Sequence, residues 1–418
     1  MYGLAMYAKM CFGPCCFSSP GLWIGCPPHF AKTLRFAIPF IALCFGGMAS
    51  NGMSQSLVAS KGLIAAIDQL VANSDFVDSE PGVAILVYKP GKMLFQKGYG
   101  LANLKEGAPI TTRTQFEIAS CSKPFTATAV LLLHDRNKLS IDQDVRSILP
   151  ELPEYSPERP ILIRDLLSHT SGLPEYFDFE VVPKKGKSFL TNSDYLPLFA
   201  RLKSDYPQEF KAGARYRYCN SNYLLLALVV ERVSGKGFGD FMKQEIFAPA
   251  GMNDTFVYSS PQAIPASAQA GINRAIGYEW SQKKAKWTIA WGTPPDRNES
   301  GLTIGDGGIW TTLEDMLKWD TAIRARKWLK HGTWKLALAP ATTRGGKPLE
   351  YGLGWQVYYE DPSKINGFGH DGSWGGFRTN YYYDHVTGRT TILLSNRSDF
   401  DGDEVWEELN NIIERFQK

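Results

Sequence analysis

Apolar residues recur along this chain with two distinct periods. Between Ser56 and Val71, the positions Leu57, Leu63, Ile64, Ile67, Leu70 and Val71 fall at helical spacing and predict a first amphipathic helix. Beyond the breaker Pro81-Gly82, Val83–Tyr88 and Met93–Gly100 are short β-rich runs around the turn composition Lys89-Pro90-Gly91-Lys92, which predicts a hairpin. Phe125–Leu133 is nearly all apolar and helix-compatible, and Leu224–Val233 repeats that character up to Ser234-Gly235. Gly375–Tyr383 and Thr390–Ser395 then flank Asp384–Gly388 as two strands and a turn, and Val405–Phe416 has the spacing of a closing helix. Strands at both ends of the chain with helices between them predict an α+β fold. It would be an antiparallel sheet flanked by helices, with an inserted, mainly helical lobe over about 117–275 and an α/β lobe from 50–116 and 276–418. A cleft between the two lobes is the expected ligand site.

Composition narrows the function more than the fold. At 44% hydrophobic residues the chain can bury a full core, which excludes a disordered protein. The 45 Lys and Arg against 42 Asp and Glu, with no long basic run, give no footprint for nucleic acid. Lys184-Lys185-Gly186-Lys187 reads as a solvated loop. Residues 1–49 read as a leader: Lys32 and Arg35 precede the apolar run Phe36–Phe45, followed by Gly46, Gly47, Ala49 and Ser50, the order of a secretory signal. Export to the periplasm or medium is the expectation. The run is shorter than the ~20 residues that cross a bilayer, so no stable membrane insertion is expected after cleavage. Residues 1–31, with Cys11, Cys15, Cys16 and Cys26, suit a start codon assigned too far upstream. Only Cys121 and Cys219 follow the leader, which makes no disulfide framework.

Three segments carry chemistry. In Phe116-Glu117-Ile118-Ala119-Ser120-Cys121-Ser122-Lys123-Pro124-Phe125, the proline is tolerated only in a helix's first turn, so the helix holding Phe125–Leu133 must begin close to Ser120. Ser120 then sits at the positive end of that helix, with Lys123 on the same face, where an amine can take the hydroxyl proton. Ser-x-x-Lys alone is a weak pattern. Ser281-Gln282-Lys283-Lys284 repeats it with no apolar helix after it, and Ser120 with Lys123 also reads as a capping serine and an exposed lysine.

In Tyr218-Cys219-Asn220 a phenol can relay a proton to a leaving group, while the amide two residues on holds the lysine and binds a substrate carbonyl. Taken alone, the pair more readily describes a buried tyrosine and a capping asparagine. The third segment runs from Gly367 to Phe377 just ahead of the C-terminal strands, and glycines beside a sheet edge let another backbone or a ligand come close. The backbone N–H groups of Ser373 and Ser120 are a predicted oxyanion hole. His370 by itself also reads as a structural histidine, as does His169, since the Gly-x-Ser-x-Gly turn and any His-x-His metal pattern are absent. Trp310 and Trp355 read as core, and Trp374 is set apart from them by its place in the third segment.

In this order, the three segments resemble those of the serine β-lactamase, DD-peptidase and carboxylesterase superfamily over about residues 55–418. Leu166-Leu167-Ser168-His169-Thr170-Ser171-Gly172-Leu173, Val230–Gly235 and Gly307-Gly308-Ile309-Trp310-Thr311-Thr312 resemble stretches of its class C branch. The resemblance implies a β-lactamase/transpeptidase-like fold with the active site between its lobes, an acyl-enzyme on Ser120 and proton shuttling by Lys123 and Tyr218. It also implies substrate contacts from Asn220, His370, Gly372, Ser373 and Trp374, and no cofactor or metal. The partner is then a small-molecule ester or peptide. His370 stands where β-lactamases carry the lysine of Lys-Thr-Gly, and Asp371 where a small hydroxyl residue usually sits. A neutral His beside an Asp attracts a substrate carboxylate weakly or repels it. The expectation is therefore a serine hydrolase of small esters or D-amino-acid amides. The alternative is a penicillin-binding or sensing protein acylated without turnover, and a β-lactamase comes third.

Overall fold

A computed structural model describes residues 51–73, 78–181, 190–259, 274–291 and 303–417, without the side chains of 51–60 and 417. The leader expected at 1–49 and the Lys184–Lys187 loop lie outside the described residues. Contacts divide the chain into Met1–Ala65, whose described residues belong to helix α1 (Asn51–Asn73), and Ala66–Lys418, which holds everything that follows.

Six antiparallel strands form the main sheet: β1 (Val83–Lys89), β2 (Lys92–Tyr99), β10 (Gln356–Asp361), β11 (Lys364–Trp374), β12 (Phe377–Asp384) and β13 (Arg389–Ser395). Their order is β10-β11-β12-β13-β1-β2. The hairpin predicted around Pro90-Gly91 is β1–β2, and the two predicted C-terminal strands are β12 and β13. The N-terminal hairpin and the C-terminal strands meet inside the sheet, where Val83 pairs with Ser395 and Tyr88 with Thr390. Val83–Val87 are all fully buried, the signature of a strand covered on both faces, which is why that run is apolar without alternation. The closing helix α10 (Gly402–Gln417) packs on β12.

Between these ends lie the helices α2 (Lys123–Asp135), α3 (Ile163–Leu167), α4 (Asn192–Arg201), α5 (Asn220–Ser234), α6 (Phe238–Phe241) and α7 (Ala248–Ala250), followed by α8 (Leu313–Arg324) and α9 (His331–Ala337). All residues of α2 from Lys123 to Leu133 are buried, so this helix forms the interior against which α5 packs. Gly235 ends α5 in the left-handed region at φ 70°. A small sheet of β5 (Phe116–Glu117), β9 (Ile309–Thr311) and β6 (Phe256–Val257), with β9 in the middle, ties the approach to Ser120 to the Gly307-Gly308 segment. The remaining short strands, β3 (Leu101–Asn103) with β4 (Ala108–Pro109) and β7 (Tyr278–Ser281) with β8 (Lys286–Ile289), form two-stranded ribbons. Ser281 thus ends a strand, not a helix start. Among the described residues no helix is long and apolar enough to cross a membrane.

Candidate active site

The backbone that presents Ser120 is tightly bent. Strand β5 pairs with β9, and the Ile118 N–H donates to the Ile309 carbonyl at 3.0 Å. Ala119 then takes φ +46°, a region that costs a non-glycine residue energy and needs support from its surroundings. The support is dense: the Cys121 N–H (3.0 Å) and the Thr379 hydroxyl (2.9 Å) both donate to the Ile118 carbonyl, and the Cys121 thiol donates to the His370 carbonyl at 2.9 Å. Ser120 lies in a 3₁₀ turn, Ala119–Ser122, and α2 begins only at Lys123, so the helix starts later than predicted, with Pro124 still in its first turn.

Lys123 is fully buried beneath the serine. Its Nζ lies 2.9 Å from Ser120 Oγ, 2.8 Å from Asn220 Oδ1 and 2.8 Å from the Asp306 carbonyl oxygen. Two of these neighbours can only accept; the serine hydroxyl can accept or donate. A neutral amine would give its two hydrogens to Asn220 and Asp306 and turn its lone pair on the Ser120 hydroxyl. Burial moves Lys123 toward that state, lowering its pKa to about 8 against the opposing pull of Asp306, Glu175 and Asp371.

Tyr218 and Asn220 flank the start of α5. The Tyr218 ring is 4.9 Å from Lys123 Nζ and stacks on His169, with centroids 4.2 Å apart. Burial raises its pKa well above the ordinary value, while the neighbouring Ser120 hydroxyl works in the opposite direction, so the phenol is neutral at rest. Its oxygen is buried without a well-formed hydrogen bond. Asn220 is the first residue of α5, after Cys219.

The glycine-rich third segment lies just ahead of the two predicted C-terminal strands, β12 and β13, and its residues Gly367–Trp374 themselves belong to a strand, β11, that the sequence pattern did not reveal. An edge exists there only locally: β10 pairs with β11 as far as Gly369, and among the described residues no partner strand on that side continues past it. A Cβ on Gly372 would lie 2.4 Å from the Ile118 carbonyl and 3.1 Å from the Ser120 nitrogen, so the missing side chain is what lets the serine turn approach β11. His370 is buried; its Nε2 lies 3.0 Å from the Tyr351 hydroxyl and its Nδ1 2.6 Å from the Asp371 carbonyl. Burial is the main cause of its pKa falling to about 4, and Lys123 adds to it. Asp371 and Ser373 are exposed, on the opposite side of the strand from His370 and Gly372. Trp374 stacks on Phe177 at 5.6 Å and meets Trp291 edge-on at 5.8 Å, whereas Trp310 and Trp355 are fully buried core.

Sequence reasoning missed three buried carboxyls around the lysine. Glu117 accepts from the Gly308 N–H at 3.0 Å, and the Asp306 carboxylate accepts from the Tyr176 hydroxyl at 2.8 Å. Glu175 accepts from both the backbone N–H (2.7 Å) and the side-chain Nδ2 (3.2 Å) of Asn220. Burial raises all three, Glu117 and Glu175 to about 7. Glu117 lies within the first segment but drew no role there, Glu175 and Asp306 lie in loops outside the three segments, and a single sequence carries no signal that joins them. Among the described residues no group of three or more His, Cys, Asp or Glu side chains could hold a metal ion.

A family model described as Beta-lactamase matches residues 65–412. Penicillin-binding protein 4* of Bacillus subtilis (strain 168) is 30% identical over 326 residues, covering 75% of this chain and 68% of that protein. A D-aminopeptidase of Brucella anthropi is 29% identical over 79% of this chain, which spans only 59% of that relative's length. The crystal structure of a penicillin-binding protein from Bacillus halodurans superposes with a TM-score of 0.65 at 28% identity, covering 79% of this chain and 94% of the other.

Proposed function

The chain belongs to the β-lactamase family, and we propose that it is a serine hydrolase that forms an acyl-enzyme on Ser120. The observation that carries this reading is the placement of Lys123 Nζ at 2.9 Å from Ser120 Oγ, with acceptors at Asn220 and Asp306 for the two hydrogens of the neutral amine. Ser120 Oγ attacks the substrate carbonyl as its proton passes to Lys123. The backbone N–H groups of Ser120 and Ser373 stabilise the oxyanion. Tyr218 protonates the departing alcohol or amine and recovers a proton from Lys123. Water then attacks the acyl ester, giving up its proton through the same pair, and the acyl C–O bond breaks with the proton returned to Ser120.

We assign the substrate to small esters or D-amino-acid amides. Glu175, Asp306 and Asp371 all bear on Lys123, and His370 is held neutral, so a substrate carboxylate meets acidic surroundings with no fixed cation beyond the lysine base. An uncharged ester or a substrate with a free ammonium suits that field better than a penicillin does. The stacked Trp374 and Phe177 offer an apolar wall for the acyl group.

The test is turnover of p-nitrophenyl butyrate, D-alanyl p-nitroanilide and a chromogenic cephalosporin by wild type, Ser120→Ala and Ser281→Ala. Turnover of the ester or the anilide, lost in Ser120→Ala and kept in Ser281→Ala, is expected, with the cephalosporin slowest. Undiminished turnover in Ser120→Ala overturns the reading, and a single burst without turnover replaces it with a sensing protein.

A further inference from the structure

We propose that Glu175 is a positioning residue of this machinery: it locks the Asn220 amide with Oδ1 toward Lys123, and so aligns the amine on Ser120. The proposal rests on the hydrolase reading above and adds a part to it.

The oxygen and nitrogen ends of an asparagine amide are nearly the same size, so packing alone does not choose between them; hydrogen bonding does. At Asn220 the choice is forced from outside. One oxygen of Glu175, Oε2, takes both the backbone N–H of Asn220 at 2.7 Å and its Nδ2 at 3.2 Å. The other oxygen, Oε1, takes the Tyr176 N–H at 3.1 Å and is thereby anchored to the turn Tyr176–Asp178. Above its pKa of about 7 the Glu175 carboxylate is ionised and only accepts, so a flipped amide would there set Oδ1 against Oε2 and an N–H against the lysine. With the amide held, Oδ1 receives Lys123 Nζ at 2.8 Å, and one hydrogen of Nδ2 is left to meet a substrate carbonyl.

Glu175 also acts on the lysine through space. Its charge opposes the burial that lowers the Lys123 pKa, so neutralising it lowers that pKa further. A carboxylate that merely capped the Tyr176 N–H would do neither. Its loss would cost stability without moving the pH dependence of acylation or coupling to Asn220.

The test is a pH profile of kcat/KM for p-nitrophenyl butyrate with wild type, Glu175→Gln, Asn220→Ala and the double variant. In Glu175→Gln the plateau is expected to fall about 10- to 100-fold, chiefly in kcat, because small displacements of a catalytic group carry penalties of that order. Its acidic limb moves to lower pH, and in the Asn220→Ala background the same substitution adds nothing to the loss. Glu175→Asp, which keeps the charge and withdraws it by one methylene, lowers the plateau with the limb in place, and its coupling to Asn220→Ala serves if Glu175→Gln does not fold. A wild-type profile in Glu175→Gln, or effects of Glu175 and Asn220 that simply multiply, overturns the proposal and leaves the hydrolase reading intact. Turnover that survives Ser120→Ala removes both.

Discussion

The imidazole of His169 lies on the phenol ring of Tyr218, centroids 4.2 Å apart and planes 28° from parallel. His169 Nδ1 accepts from the Cys219 N–H at 3.1 Å, which assigns the hydrogen to Nε2 and makes the ring neutral. Burial, with help from Lys123, keeps it so by holding its pKa well below the usual histidine range. The stack fixes the plane of Tyr218 from behind. His169→Ala removes that backing and orphans the Cys219 N–H, which costs about 2–4 kcal/mol of stability. Urea melts read this loss, and ester kcat should fall about tenfold as Tyr218 loosens.

The state of Lys123 predicts the pH dependence of acylation. The neutral amine is the base, and its pKa is lowered to about 8. Ester kcat/KM should therefore fall about tenfold per unit as pH drops below that value and level off above it. Lys123→Arg keeps a charge that no accessible pH removes, and it should abolish turnover at every pH across the same titration.

Glu117 predicts a pH dependence of stability with the opposite sign to most carboxylates. Burial raises its pKa to about 7 in the fold, from 4.5. The folded state therefore holds this proton more tightly than the unfolded one. Its stabilisation is fully present below pH 4.5 and is lost as pH rises through about 7. Glu117→Gln mimics the protonated form, so it should raise the stability at pH 8 by on the order of 2 kcal/mol and change little near pH 4. Thermal melts of both proteins at the two pH values check this.

Gly372→Ala tests the approach of β11 to the serine. The added methyl meets the Ile118 carbonyl at 2.4 Å, so the turn carrying Ser120 must retreat. Ester turnover should drop about 100-fold with the fold preserved by circular dichroism. Gly332→Ala, where the added methyl meets nothing, is the control for the substitution itself.

Much of this was legible because local chemistry and tertiary role agree. Pro124 marked the start of α2 to within three residues of Ser120, and the apolar runs around Pro90-Gly91 and Asp384–Gly388 became the predicted hairpins. What stayed hidden depends on distance in sequence. Glu175 is 45 residues from Asn220, and Asp306 is 183 from Lys123, so no window of periodicity contains either pair. The glycines of β11 were read for what they do, admitting another backbone, which at Gly372 is that of Ile118 and Ser120; that they lie within a strand was hidden, because glycine carries no strand periodicity.

The pairing of β1 with β13 governs how the molecule is made. Its partner β13 lies more than 300 residues downstream, and the Gly82 N–H is bonded to the Asn396 side chain 314 positions away. Such a sheet has high contact order, so loop-closure entropy is spent before its pairing is rewarded. While the ribosome is still adding residues, β1 and β2 form at most an isolated hairpin whose buried faces have no cover, and the domain cannot close until its last strand emerges. A chain cut short before Arg389 therefore lacks the strand that joins β1-β2 to β10-β11-β12, and an unfinished copy offers chaperones and proteases a persistent target.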